Sequence, residues 1–72
     1  MTRAETIIMG AAMRSNIRTS KALAERAGFP YTTLRYKMNH PKTITLGDVR
    51  KLDRVCHFTE DDTHKMVKAV RV

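Results

Sequence analysis

The chain has 72 residues, a net charge of +7, 42% hydrophobic residues, one cysteine and no tryptophan. That length fits a single domain over residues 1–72, and a core of that size covers only about 60% of the chain's surface. The composition excludes a disordered tail, a membrane span of roughly 20 apolar residues and, with Cys56 alone, an internal disulfide.

The periodicity predicts a first helix over about Arg3 to Arg14, where Ile7, Ile8, Ala11 and Ala12 recur at helical spacing. Ser15 and Asn16 end it, and Ile17 is expected to turn inward. Thr19 is the expected N-cap of a second helix over about Ser20 to Ala27, with Leu23, Ala24 and Ala27 as its apolar stripe. Gly28 follows, where a left-handed backbone suits glycine. Pro30 suits the start of a third helix, which runs to Met38 or Asn39 before Pro41 forbids its continuation. Leu34 and Met38 form its apolar side. Thr45 opens a fourth helix with Asp48 as a capping-box-like partner, and Leu46, Val49, Leu52 and Val55 recur along one face, flanked by Cys56. Thr59 opens a fifth, whose first turn carries Glu60, Asp61 and Asp62 and whose stripe is Met66, Val67 and Val70. No convincing strand is found. The expected fold class is all-α, a compact bundle of four to five helices.

Two short helices joined by the Gly28 turn cross steeply, so the third projects from the body. With Leu34 facing the core, the ~100° step of a helix puts Thr32 and Tyr36 opposite it and Thr33 and Arg35 on the flanks. Tyr31 lies in the first turn. These five residues, Tyr31, Thr32, Thr33, Arg35 and Tyr36, are the candidates for reading base edges in a major groove. Arg35 suits guanine O6 and N7, and the threonines suit base edges or the thymine methyl. The candidates for phosphate contact flank them: Arg18, Thr19, Ser20 and Lys21 at the start of the second helix, and Lys37, Asn39, His40 and Lys42 around the end of the third. All of the +7 excess falls in residues 1–57, and residues 58–72 are balanced. That is the footprint of a polyanion partner.

Other chemistry has little to stand on. His40, Cys56, His57 and His64 lack the spacing of a zinc site. No nucleophile has an obvious paired base, and no glycine-rich loop cradles phosphate. No catalytic residue, metal, cofactor, small-molecule substrate or membrane partner is expected. With no secretory leader at the N-terminus, the expected compartment is the cytoplasm.

With these residues assembled, the segment from about Met13 to Thr59 resembles the lambda repressor-like family, the Cro/C1-type helix-turn-helix proteins, above all its small phage and prophage members. The carriers are Leu23-Ala24, the Ala27-Gly28-Phe29 turn, Thr33-Leu34, the run TITLGDVRKLDRV, Pro30, and the exit Asn39-His40-Pro41. The resemblance implies a helix-turn-helix at about residues 20–38. It implies operator DNA as partner, usually bound by a symmetric dimer, and a bacterial host cytoplasm or nucleoid as location. It places base reading on Tyr31, Thr32 and Tyr36 and a phosphate anchor on Ser20. Ser20 stands where glutamine is common, Lys37 where the family is often apolar, and His57 where a glycine often follows the fourth helix. The expected function is transcription regulation by occupancy of DNA. The alternative is an antitoxin-type or partner-binding module on the same fold. An exposed apolar patch of Met66, Val67, Val70 and Val72 would favour that alternative.

Overall fold

Threonine hydroxyls set four of the five α-helix starts among the described residues. In the computed structural model, which describes residues 2–71, the oxygens of Thr2, Thr19, Thr45 and Thr59 accept the N–H of Glu5, Ala22, Asp48 and Asp62 at 3.0–3.1 Å. Each bond satisfies one of the donors that a helix start leaves without a partner. Among the described residues the helices are α1 (Arg3–Arg14), α2 (Ser20–Ala27), α3 (Tyr31–Asn39), α4 (Leu46–Cys56) and α5 (Glu60–Arg71), and there is no strand. Val72 lies outside the described residues.

Between α2 and α3 the chain reverses on Gly28, at φ 82°. The Gly28 and Phe29 N–H groups both donate to the Ala24 carbonyl, at 3.0 and 2.9 Å, and Phe29 is buried. A Cβ on Gly28 would meet nothing within 4 Å, so alanine there suffers only backbone strain. Gly28→Ala is expected to destabilise the fold by about 1 kcal/mol, read as a lower urea midpoint at unchanged slope. An unchanged midpoint would show that the turn can relax out of the left-handed region.

Pro30 stands one position earlier than expected. It is the N-cap of α3, at φ −60° and ψ 138°, with no side-chain cap. Beyond α3 the chain makes a short 3₁₀ turn, Pro41–Thr43, that local periodicity does not mark. Proline pre-sets this turn, and the His40 carbonyl holds it by accepting the Thr43 N–H at 2.9 Å and its hydroxyl at 2.7 Å. His57 ends α4 in the left-handed region at φ 52°, and Asn16 does the same after α1 at φ 64°.

The core draws on every helix. Ala4, Ile8, Ala11 and Ala12 of α1 meet Leu23 and Ala24 of α2, Leu34 and Met38 of α3, Leu52 and Cys56 of α4, and Met66 and Ala69 of α5, with Ile17 closing the turn after α1. Small alanines let α1 lie close to its neighbours, and α1 packs against α3, α4 and α5. Two expected stripes are corrected here. On α4 the buried pair is Leu52 and Cys56, Val49 and Val55 are half-buried, and Leu46 is 70% exposed because it stands in the first turn, beyond the core. On α5 the buried residues are Met66 and Ala69, three apart on one face, and Val67 is turned outward. Burial pushes the Cys56 thiol up to about 11, so it stays a protonated core side chain.

Two reciprocal capping boxes carry the acid response of the fold. Asp48 accepts the Thr45 N–H at 2.9 Å and Asp62 the Thr59 N–H at 3.1 Å, so α5 has the same device as α4. Burial pushes the Asp48 carboxyl up, but the bonds from Lys37 and the Thr45 N–H outweigh it and hold it below the usual range. Asp62 is held low by the Thr59 N–H first and the Arg14 guanidinium second. Carboxyls depressed in the folded state stabilise above their unfolded pKa of about 3.9, and that stability is lost as pH falls through the folded values. Urea midpoints are therefore expected to hold down to about pH 5 and to fall below about pH 4. The fall should be shallower in Asp62→Asn, and an equal slope in that variant would remove Asp62 from the acid response.

Candidate functional site

The outer side of α3 is its most distinctive surface. Leu34 and Met38 point inward, so the helical step turns Tyr31, Thr32, Thr33 and Tyr36 to solvent, and all four are exposed. This face is uncharged and carries four hydroxyls. All four are among the residues expected to read base edges.

Arg35, the fifth, is placed otherwise than expected. Its guanidinium donates to Glu5 Oε2 at 2.8 Å, across the contact between α1 and α3. Glu5 is 6% exposed and is the buried charged residue of the core. The hydrogen bond to that carboxylate, and then its charge, raise the Arg35 pKa further. Reading a guanine would first require breaking this pair, so Arg35 in the free protein positions α3. The sequence signals the need for a partner, though not which one. Glu5 sits beside Ala4 and three residues before Ile8, at the border of the buried stripe, where a carboxylate needs a cation.

Lys37 is committed as well. Its ammonium lies 2.7 Å from Asp48 Oδ2 and donates to the Thr43 carbonyl at 3.0 Å, which ties α3 to α4 and to the 3₁₀ turn. A lysine held by a carboxylate and a carbonyl is not a free phosphate contact, which corrects that expectation for the free protein. The end of α3 is tied to α1 too, because the Thr2 hydroxyl donates to the Met38 carbonyl.

The other flanking candidates divide in two. Thr19 Oγ1 is engaged in capping α2. Arg18, Lys21, Asn39, His40 and Lys42 are exposed, and Ser20 is half-buried. Among the described residues Arg18, Lys21 and Lys42 form no ion pair. His40 stacks on Tyr36 with ring centroids 4.2 Å apart and planes at 19°. Its Nδ1 lies 3.0 Å from the Tyr36 carbonyl. A carbonyl can only accept, so this contact is a hydrogen bond when Nδ1 carries the proton.

A second surface lies beyond the 3₁₀ turn. An apolar cleft of about 210 Å³ runs between the start of α4 and α5. It is lined by Ile44, Leu46, Val49, Met66, Val67 and Val70. Leu46 and Val67, the latter 49% exposed, stand at its edge.

No helix among the described residues is long and apolar enough to cross a membrane. No family model, curated protein or solved structure matches the chain.

Proposed function

We propose that this chain is a sequence-specific double-stranded DNA-binding regulator of the Cro/C1 type, phage or prophage encoded, with α3 entering the major groove. One observation carries the reading: an exposed, uncharged face of four hydroxyl-bearing side chains on α3, on a chain of net charge +7 that has the unpaired cations Arg18, Lys21 and Lys42 on the segments flanking α2 and α3. Base edges are read by groups that accept and donate, and affinity comes from cations on phosphates. Thr32 and Tyr36 are the central readers, with Tyr31 and Thr33 beside them. Arg18, Lys21 and Lys42, with the start of α2, neutralise the backbone. The output is occupancy, excluding or recruiting polymerase.

Selection from a random duplex library, with titration of the winner at two salt concentrations, tests this reading. A defined motif should emerge, bound at least about a thousandfold more tightly than random DNA. Thr32→Ala and Tyr36→Ala should each relax preference at one position by about 1–3 kcal/mol without lowering the urea midpoint. Lys42→Ala should weaken all sequences alike and flatten the salt slope by about one unit. No enriched motif, with binding that merely collapses as salt rises, would discard the reading.

The apolar cleft between α4 and α5 favours a second component, contact with protein. In the DNA reading the partner is another copy of this chain, giving a dimer on a palindromic site. In the alternative, the fold is an antitoxin-type or partner-binding module with DNA secondary. Sedimentation of the chain alone and with its selected duplex separates them.

A further inference from the structure

A concavity lies where the end of α3, the 3₁₀ turn, the start of α1 and the last turns of α5 converge. Its volume is about 580 Å³, within the roughly 300–1,000 Å³ of small-molecule sites. The floor is apolar, built from the Pro41 ring, the Ala69 methyl and the Tyr36 ring stacked on His40. The rim is basic, with Arg3, Lys42 and Lys68 contributed by three separate elements, and no carboxylate lines it. Among the described residues none of these three cations pairs with an acid. A fold that commits the α3 cations Arg35 and Lys37 to carboxylates leaves these three around one groove.

The open face of a stacked aromatic pair takes a planar ring, and a rim of unpaired cations takes phosphate or another anion. A bare phosphate strand has no use for the apolar floor. A purely apolar ligand leaves three cations facing it without a counter-charge. We propose that this groove binds a small planar aromatic anion of the nucleoside-phosphate class, the ring lying against Tyr36 and His40 and the phosphate held by Arg3, Lys42 and Lys68. The groove shares Tyr36, His40 and Lys42 with the DNA face proposed above, so ligand and operator compete. This regulatory step rests on the DNA reading, whereas the binding site does not. Competition is reciprocal: whatever factor the nucleotide removes from DNA affinity, DNA removes from nucleotide affinity.

The test is calorimetric titration of the intact chain, free of DNA, with AMP, ATP, adenosine and inorganic phosphate in turn. AMP and ATP should bind at least about tenfold more tightly than adenosine or phosphate alone. Arg3→Ala and Lys68→Ala, both exposed and outside the proposed DNA contacts, should each weaken AMP by about tenfold while leaving the far-UV spectrum and urea midpoint unchanged. Equal affinity for AMP and inorganic phosphate, indifference to both variants, or no heat at millimolar AMP would overturn the site. A second titration, of the selected duplex with AMP present, tests the competition. AMP binding with no selectable operator keeps the site and discards the DNA reading. An operator with no AMP binding does the reverse.

Discussion

Arg35→Ala is expected to destabilise the fold by about 2–3 kcal/mol, far more than loss of an exposed arginine would. The reason is what it leaves behind. Glu5 is 6% exposed and bonds to Arg35 at 2.8 Å, so removing the guanidinium strands a buried carboxylate. Removing one partner of a fully buried pair costs about 3–5 kcal/mol, and the Arg35 side chain is 33% exposed, which places this pair at or below the lower end. The double variant Glu5→Gln with Arg35→Ala should recover most of the loss, because an amide tolerates burial far better than an unpaired charge. Urea unfolding of both variants checks this, and a double variant as unstable as the single one would show that Arg35 acts by packing alone. Glu5→Gln by itself also separates two roles in DNA binding. If Arg35 only positions α3, freeing it broadens the selected motif. If it reads guanine, freeing it sharpens one position.

Leu34→Ala should cost about 3 kcal/mol or more. Leu34 is fully buried, on the side of α3 that seats against the core. A domain of this length holds roughly 4–11 kcal/mol in total, at about 0.05–0.15 kcal/mol per residue. The substitution therefore removes a large share of the folding stability and lowers the urea midpoint in proportion. Tyr36→Ala, on the opposite side at 55% exposure, should change the folding free energy by no more than about 0.5 kcal/mol and leave the midpoint nearly in place. If the two residues behaved alike in unfolding, the inward and outward sides of α3 would be wrongly assigned.

Much of this architecture was legible from local chemistry. Thr19, Thr45 and Thr59 mark helix starts because their hydroxyls satisfy nearby amides, and Gly28 marks the reversal because few other residues accept its backbone. The exposure of Thr32, Thr33 and Tyr36 follows from the placement of Leu34 alone. What escaped depended on distant partners. Glu5 and Arg35 are thirty residues apart, and nothing in either neighbourhood says that they meet. Lys37 with Asp48, and Arg14 with Asp62, are of the same kind. The α4 stripe misled because regular spacing continues into a first turn that stands beyond the core, where Leu46 is left outside. The basic groove also escaped, since its cations come from residues 3, 42 and 68 and become neighbours only through the fold.

The pairs Glu5–Arg35 and Lys37–Asp48 grip α3 from two sides, one through α1 and one through α4. Arg35 and Lys37 are two positions apart, roughly 200° around the helix, so together they resist its roll about its own axis. A roll of only about 20° would carry a side-chain tip about 2 Å sideways at the 5–6 Å radius of a helix, several times the tolerance of a hydrogen bond. These two stays on the helix are largely shielded from water, their side chains being 33% and 8%, and 20% and 13%, exposed, so salt weakens them far less than it weakens the pull of exposed cations. In the DNA reading, overall attraction should therefore fade as ionic strength rises while discrimination between sequences holds.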